Sequence, residues 1–162
     1  MLVLWRQIDD PADENEPVND VAALDALLDR LHKRARAEDY PHAVHLYAGQ
    51  RYPHPAHGRG NQWIPEDPGD GPQPELMLVV GAEDSPVSWF DPAGHEHTSV
   101  GPRHVHQPEP RYFFEFYFGG QESYATESSL VPSDQAREAA RQFLASGGQR
   151  PANITWRTPQ PA

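Results

Sequence analysis

The amino-acid sequence predicts an α+β fold, with an antiparallel sheet of five to six strands and two helices packed against it. Most periodic segments have the apolar pattern of strands, and only one early and one late segment have helical periodicity. Strands and helices do not alternate along the chain, which disfavours a parallel sheet. At 162 residues, the chain predicts a single domain over residues 1–162.

The N-terminal part predicts a strand, a loop and the first helix. A short strand is predicted over residues 2–5 and a solvated acidic loop over residues 9–17. Asn19 and Asp20 are good N-caps, so the helix is predicted to begin there, and Pro41 ends it. Its buried stripe is predicted at helical spacing, at Val21, Leu24, Leu27, Leu28, Leu31 and Ala35.

The middle of the chain predicts the sheet. Strands are predicted where apolar residues alternate or run continuously, at residues 44–47, 76–80, 87–91, 98–100 and 112–118. A turn is predicted at residues 82–86. Residues 52–75 hold six Pro and four Gly together with His54 and His57, so they predict a long Pro/Gly/His-rich loop.

The C-terminal part predicts a helix followed by a final strand. Ser133 or Pro132 begins the helix and Gly147-Gly148 ends it. One helical face carries Ala136, Ala139, Ala140, Phe143 and Leu144. Ile154 and Trp156 then alternate with polar residues, which is typical of a half-buried strand.

Composition and charge restrict the function classes. The chain has no Cys, no long apolar segment and no signal-peptide pattern, so we expect a cytoplasmic protein without disulfides or membrane spans. Residues 61–130 carry twelve acids and only two bases. A nucleic-acid partner is disfavoured because phosphate binding needs a basic surface. A partner protein with a basic surface fits this charge, although acidity also serves solubility.

The aromatic strand predicts a candidate binding face. Tyr112, Phe114, Phe116 and Phe118 fall on one side of the strand and are expected in the core. Phe113, Glu115 and Tyr117 fall on the other side, where an acid between two aromatic rings suits a basic partner. Trp89, Glu122, Tyr124 and Glu127 are expected to extend this face if their strands are neighbours. An ordinary exposed sheet face is the alternative.

Histidines predict a weaker alternative, a metal site. His95 and His97 form one H-x-H pair, and His104 and His106 form another. Because residues two apart on a strand share one face, the two imidazoles of each pair are predicted to lie on the same side of a strand, where they could bind a metal ion. Such pairs recur in His-rich sequences, so loop histidines are the alternative interpretation. The chain has no G-x-S-x-G, H-E-x-x-H or phosphate-binding glycine motif, and we therefore expect no enzymatic activity and no cofactor.

The order of the C-terminal elements resembles the Imm1 family of immunity proteins, which are antidotes of bacterial polymorphic-toxin systems. The resemblance lies in Leu130-Val131-Pro132, the Ala136/Ala139/Ala140/Phe143 face, Gly147-Gly148, Pro151 and Trp156. It extends more loosely to residues 24–31, 76–91 and 112–120, whereas residues 52–75 have no counterpart. The family pattern names no catalytic residues.

The resemblance implies an antidote that binds a cognate toxin domain stoichiometrically, often one directed at nucleic acid, such as a deaminase or nuclease. From charge and aromatic placement we predict six toxin contacts, Trp63, Trp89, Glu115, Tyr117, Glu122 and Tyr124. A His-rich metal-binding protein or enzyme, and a general protein-interaction adaptor, are the alternatives. The identity of the toxin and the oligomeric state do not follow from the sequence.

Overall fold

The computed structural model of the chain describes residues 1–5, 14–49, 73–102, 113–118 and 121–159. Two α-helices are present in this part of the chain, α1 (Val21–Ala37) and α2 (Ser133–Ala145). The strands are β1 (Leu2–Trp5), β2 (Glu14–Pro17), β3 (His42–Tyr47), β4 (Glu75–Val80), β5 (Asp84–Phe90), β6 (Glu96–Ser99), β7 (Phe113–Phe118), β8 (Gln121–Thr126), β9 (Leu130–Pro132) and β10 (Trp156–Arg157). The prediction of an α+β fold with two helices is confirmed for this part.

Helix α1 begins where the sequence predicted. The Asp20 carboxylate caps the helix by accepting a hydrogen bond from the Ala23 backbone N–H at 2.8 Å. Its buried stripe follows the predicted spacing: Leu24, Leu27, Leu28, Leu31 and Ala35. Val21 was predicted in that stripe but is 40% exposed, and Ala22 and Ala23 in the same first turn are exposed as well. Asp39, at φ 57°, turns the chain from the helix into β3.

Helix α2 ends as its two glycines predicted. The backbone N–H of Gly147 bonds to the Leu144 carbonyl and that of Gly148 bonds to the Phe143 carbonyl. Both glycines have positive φ, at 68° and 103°. The predicted buried face is confirmed at Ala136, Ala139, Ala140 and Phe143. Leu144 is only half-buried, at the margin of the core.

The sheet is larger than predicted and is mixed rather than wholly antiparallel. Its main path runs β10-β6-β5-β4-β3-β1-β2, which is seven strands instead of five or six. β7 joins the end of β3 in parallel at the register pair His42 and Tyr117, and β8 pairs with β7. β9 pairs with β5. The parallel contact arises because β1 covers β3 only from Val44 to Tyr47, which leaves the start of β3 open for β7.

Both faces of the sheet are covered at its centre. One face packs on the helices and carries Val44, Leu46, Leu76, Leu78 and Val87 in the main core. The other face carries a smaller cluster formed by Ala43, Met77, Val79 and Phe116. All six residues of β3 are therefore buried, because the antiparallel pair of β7 and β8 folds over the face that the helices leave uncovered.

Several strands and turns have boundaries that differ from those predicted from the sequence. Part of the predicted acidic loop, Glu14–Pro17, forms β2 at the edge of β1. β5 begins at Asp84, inside the predicted turn, because its first residues pair with β9. The final strand is only Trp156–Arg157, and Ile154 is buried in the turn before it. Most of the predicted loop at 52–75 lies outside the described residues. Within them, neither helix has the length and apolar composition needed to cross a bilayer.

Candidate functional site

The outer side of β7 and β8 gathers four of the six predicted contact residues. Glu115 pairs across the strands with Tyr124, and Tyr117 pairs with Glu122. Directly opposed residues in an antiparallel pair have side chains on the same face, so all four project from one surface. We call β7 with β8 the ribbon, and this surface, together with Tyr40, the ribbon face.

The inner side of the ribbon holds it on the sheet. Phe116 is 4% exposed and packs in the smaller cluster, which Phe114 and Ala125 also contact. The Phe118 ring meets the His45 ring edge-on at 4.7 Å, although Phe118 itself is 40% exposed. Of the residues predicted for the core side, Phe116 is thus confirmed, Phe114 and Phe118 lie nearer its margin, and Tyr112 lies outside the described residues.

Tyr40 is a member of the ribbon face that sequence reasoning missed. Its ring lies 4.0 Å from the Tyr117 ring, centroid to centroid. The connection is fixed because the Tyr117 backbone N–H donates to the Pro41 carbonyl at 2.9 Å. The only feature of the sequence that marks Tyr40 is its position directly before Pro41, the proline that follows α1. This position does not indicate the parallel contact between β3 and β7.

The ribbon face is electrostatically negative. The charges of Glu122 and then Glu115 raise the pKa of Tyr124, whose hydroxyl also donates to a Glu122 carboxylate oxygen at 3.4 Å. Burial, followed by the charges of Glu115 and Glu122, raises the pKa of Tyr40. Among the described residues, no cation forms an ion pair with Glu115 or Glu122. Both carboxylates are exposed, and the Tyr124 ring is 55% exposed beside them.

Trp89 does not join the ribbon face. It lies on the helix-facing side of β5, half-buried against the main core. Its indole N–H donates to the Gly148 carbonyl at 3.2 Å, and the Arg150 guanidinium carbon lies 5.9 Å from the ring centroid. The ribbon and Trp89 therefore occupy opposite faces of the sheet. Trp63 lies outside the described residues.

The two described histidines of the H-x-H pairs converge on one carboxylate. Nδ1 of His95 and Nε2 of His97 lie 3.1 and 3.4 Å from the same oxygen of Asp91. Hydrogen bonds from the His95 backbone, the two imidazoles and the Ala93 backbone lower the pKa of Asp91 to about 2. The arrangement closes the turn between β5 and β6. His104 and His106 lie outside the described residues.

The described residues contain no group of three or more His, Asp or Glu side chains able to hold a metal ion. A small pocket beside His42 has a cavity volume of about 10 Å³, room for about one water molecule, and is lined by Leu31, Arg34, Ala35, Glu38, His42, Val44 and Val80. Ligand sites for small molecules usually measure about 300–1,000 Å³. The exposed acidic and aromatic ribbon face is therefore the stronger candidate site in the described part.

Comparison with known families agrees with the resemblance seen in the sequence. The family model for Immunity protein Imm1 matches residues 12–158. The chain belongs to the Imm1 immunity protein family. A comparison with curated proteins gave no match.

Membership of the Imm1 family gives the chain its general role. Immunity proteins belong to toxin–immunity systems, so the expected partner of this Imm1 protein is a toxin. The match spans the described elements from β2 to β10, including the ribbon. The sequence-based prediction of the family is confirmed.

Proposed function

We propose that this Imm1 protein neutralises a cognate toxin domain by binding it stoichiometrically in the cytoplasm of the cell that makes both. The match to the Imm1 family over residues 12–158 is the observation that carries this proposal. We further propose that the toxin is an enzyme directed at nucleic acid, such as a deaminase or nuclease. An enzyme of that kind needs a basic surface to hold phosphates.

The ribbon face is the proposed contact. Its two carboxylates, Glu115 and Glu122, have no cationic partner among the described residues, and they stand beside the exposed ring of Tyr124. Tyrosine is enriched at interface hot spots because it contributes a large amphipathic surface with few rotatable bonds. Complementary charge speeds encounter with a basic partner and disfavours wrong partners.

Trp89 and Trp63 are proposed as further contacts. Trp89 lies across the sheet from the ribbon face, so a toxin touching both would have to reach around an edge of the sheet. A standard interface of about 1,600 Å² is expected. Nuclease–immunity pairs are among the tightest protein complexes known, so a dissociation constant far below nanomolar is reachable for such an interface.

Co-expression with the toxin domain encoded beside this gene tests the proposal. We expect restored growth and a one-to-one complex that survives size-exclusion chromatography. The control is the same toxin domain expressed with an immunity protein from a different family. If the toxin stays lethal and does not co-purify with this chain, the neighbouring domain is not its partner and the proposal fails for that pair.

A further inference from the structure

The sheet divides where β5 begins. The antiparallel ladder between β4 and β5 runs from the pair of Glu75 and Phe90 to the pair of Leu78 and Val87. Residues 84–86, at the start of β5, pair instead with β9. Beyond Leu78, the backbone N–H groups of β4 that point toward β5 therefore need acceptors from elsewhere, because buried backbone donors are almost always paired.

Two side chains supply these acceptors. The Val79 N–H donates to the Ser85 hydroxyl oxygen at 2.8 Å, and the Gly81 N–H donates to Nδ1 of His32 at 3.1 Å. Because His32 belongs to α1, its bond joins this helix to the turn that follows β4. Helix and turn lie close together, since a Cβ added to Gly81 would lie 2.6 Å from the Cβ of Ala35.

His32 must be neutral to make this bond. A ring nitrogen accepts a hydrogen bond only through its lone pair, so Nδ1 carries no proton and the ring hydrogen is on Nε2. Uptake of a second proton places an N–H on Nδ1, directly opposite the Gly81 N–H. Two donors then face each other, and the bond between α1 and the turn is lost. Histidine is the side chain that changes charge in this way near neutral pH.

The surroundings of His32 favour its neutral form. Burial lowers the pKa of His32 from its ordinary value of 6.5, and the charges of Arg137 on α2 and Arg36 on α1 lower it further. The charge of Asp29, also on α1, opposes them, but this carboxylate is paired with Arg137. The turn and the start of β5 carry two acids that do not contribute to the shift, Glu83 and Asp84.

We propose that His32 is a pH-sensitive latch that holds α1 to the turn between β4 and β5 when it is neutral and releases the helix when it is protonated. The turn itself stays joined to α2, because the Ser133 N–H donates to the Glu83 carbonyl at 2.9 Å. The release concerns the helical face of the sheet, opposite the ribbon.

The direction of the pH effect follows from the lowered pKa of His32. Above pH 6.5 the imidazole is neutral in the folded and the unfolded chain alike, so the contribution of the latch to stability is fully present. As the pH falls below 6.5, the unfolded chain takes up the proton first. The contribution is therefore lost as the pH falls from 6.5 through the lower pKa of the folded state.

The first test is residue-resolved amide hydrogen exchange of the ¹⁵N-labelled protein from about pH 8 to pH 4.5, with the His32 ring signals followed in parallel. Protection is compared after correction for the intrinsic exchange rate at each pH. We expect the protection of the Gly81 amide to fall at least about tenfold as His32 takes up its proton. The Val79 amide, bonded to a hydroxyl group that does not titrate in this range, should change little.

Three outcomes of that experiment overturn the latch. The first is constant protection of Gly81 while His32 titrates, and the second is a His32 ring that stays neutral throughout the range. The third is an equal loss of protection at Gly81 and Val79, which would show general unfolding instead of a local release.

A matched pair of variants gives a second test. His32→Asn keeps an uncharged acceptor near the position of Nδ1, whereas His32→Leu removes the acceptor. The Gly81 amide should be protected at every pH in the first variant and poorly protected at every pH in the second. From pH 7.5 to pH 5.5, the unfolding equilibrium constant should rise at least about threefold more in the wild type than in His32→Asn. The same rise in both proteins overturns the proposal.

Discussion

Reversing the charges of Glu115 and Glu122 tests whether the ribbon face steers the toxin. Each Glu→Lys change alters the local charge by two units. With a toxin cation about 7 Å from each carboxylate in water, the two changes cost about 2.4 kcal/mol before screening. Screening at 0.01 M salt leaves about 1.9 kcal/mol, or about a 20-fold slower association. At 0.15 M salt about 1 kcal/mol of this cost remains, which corresponds to an association about fivefold slower than that of the wild type.

Stopped-flow association measured from 0.01 to 0.15 M salt checks this expectation. The control is Asp29→Lys with Glu138→Lys, which changes the net charge equally on the helical layer across the sheet. These two substitutions remove the surface ion pairs of Asp29 with Arg137 and of Glu138 with Arg141. Each ion pair contributes at most about 1 kcal/mol to stability. Equal slowing by both double variants, or rates independent of salt, would refute steering by the ribbon face.

Three further predictions concern the scaffold. Phe116→Ala should lower the free energy of unfolding by about 3–5 kcal/mol, as measured by urea titration. Phe118 is 40% exposed, so Phe118→Ala should lower it clearly less. Equal losses for the two variants would contradict anchoring by Phe116. Gly147→Ala should cost about 1 kcal/mol for its positive φ. Gly148→Ala should cost about 3 kcal/mol, because its added Cβ would also lie 2.5 Å from the Cβ of Ala48. Equal melting temperatures of the Gly147→Ala and Gly148→Ala variants would exclude that clash. Asp91 has a native pKa of about 2 against the ordinary 3.8, so its contribution to stability is present above pH 4 and lost as pH falls through 2. The Asp91→Asn variant should therefore melt below the wild type at pH 5 and approach it at pH 2, and a difference independent of pH would contradict this.

Local patterns predicted the parts of the fold that local forces determine. The apolar stripe of α1 and the two glycines after α2 marked both helices, because capping and helical burial act within a few residues. Strand alternation also separated Glu115 and Tyr117 from Phe114, Phe116 and Phe118 before any pairing was known. The ribbon face was thus largely predictable once β8 was known to be the neighbour of β7.

Long-range pairing explains most of what the sequence did not reveal. Glu14–Pro17 has little intrinsic strand character and becomes β2 because β1 offers an edge beside it. Trp89 resembled a surface aromatic, but the β4–β5 register turns it toward the helices, opposite Leu76. Tyr40 reaches the ribbon face only through the parallel junction of β3 and β7, a contact between residues about 75 apart in the chain.

The ribbon separates the residues that stabilise the fold from those proposed to select the toxin. Its inner side, centred on Phe116, is fixed by packing on β3 and β4, where a change in volume is costly. Its outer side projects Glu115, Glu122 and Tyr124 into solvent, where substitutions usually alter stability by less than about 0.5 kcal/mol. The outer residues can therefore be exchanged to match a different toxin without loss of the fold. The Glu115→Lys/Glu122→Lys variant should accordingly melt at nearly the wild-type temperature while associating slowly, and a large fall in melting temperature would show that the two sides of the ribbon are coupled.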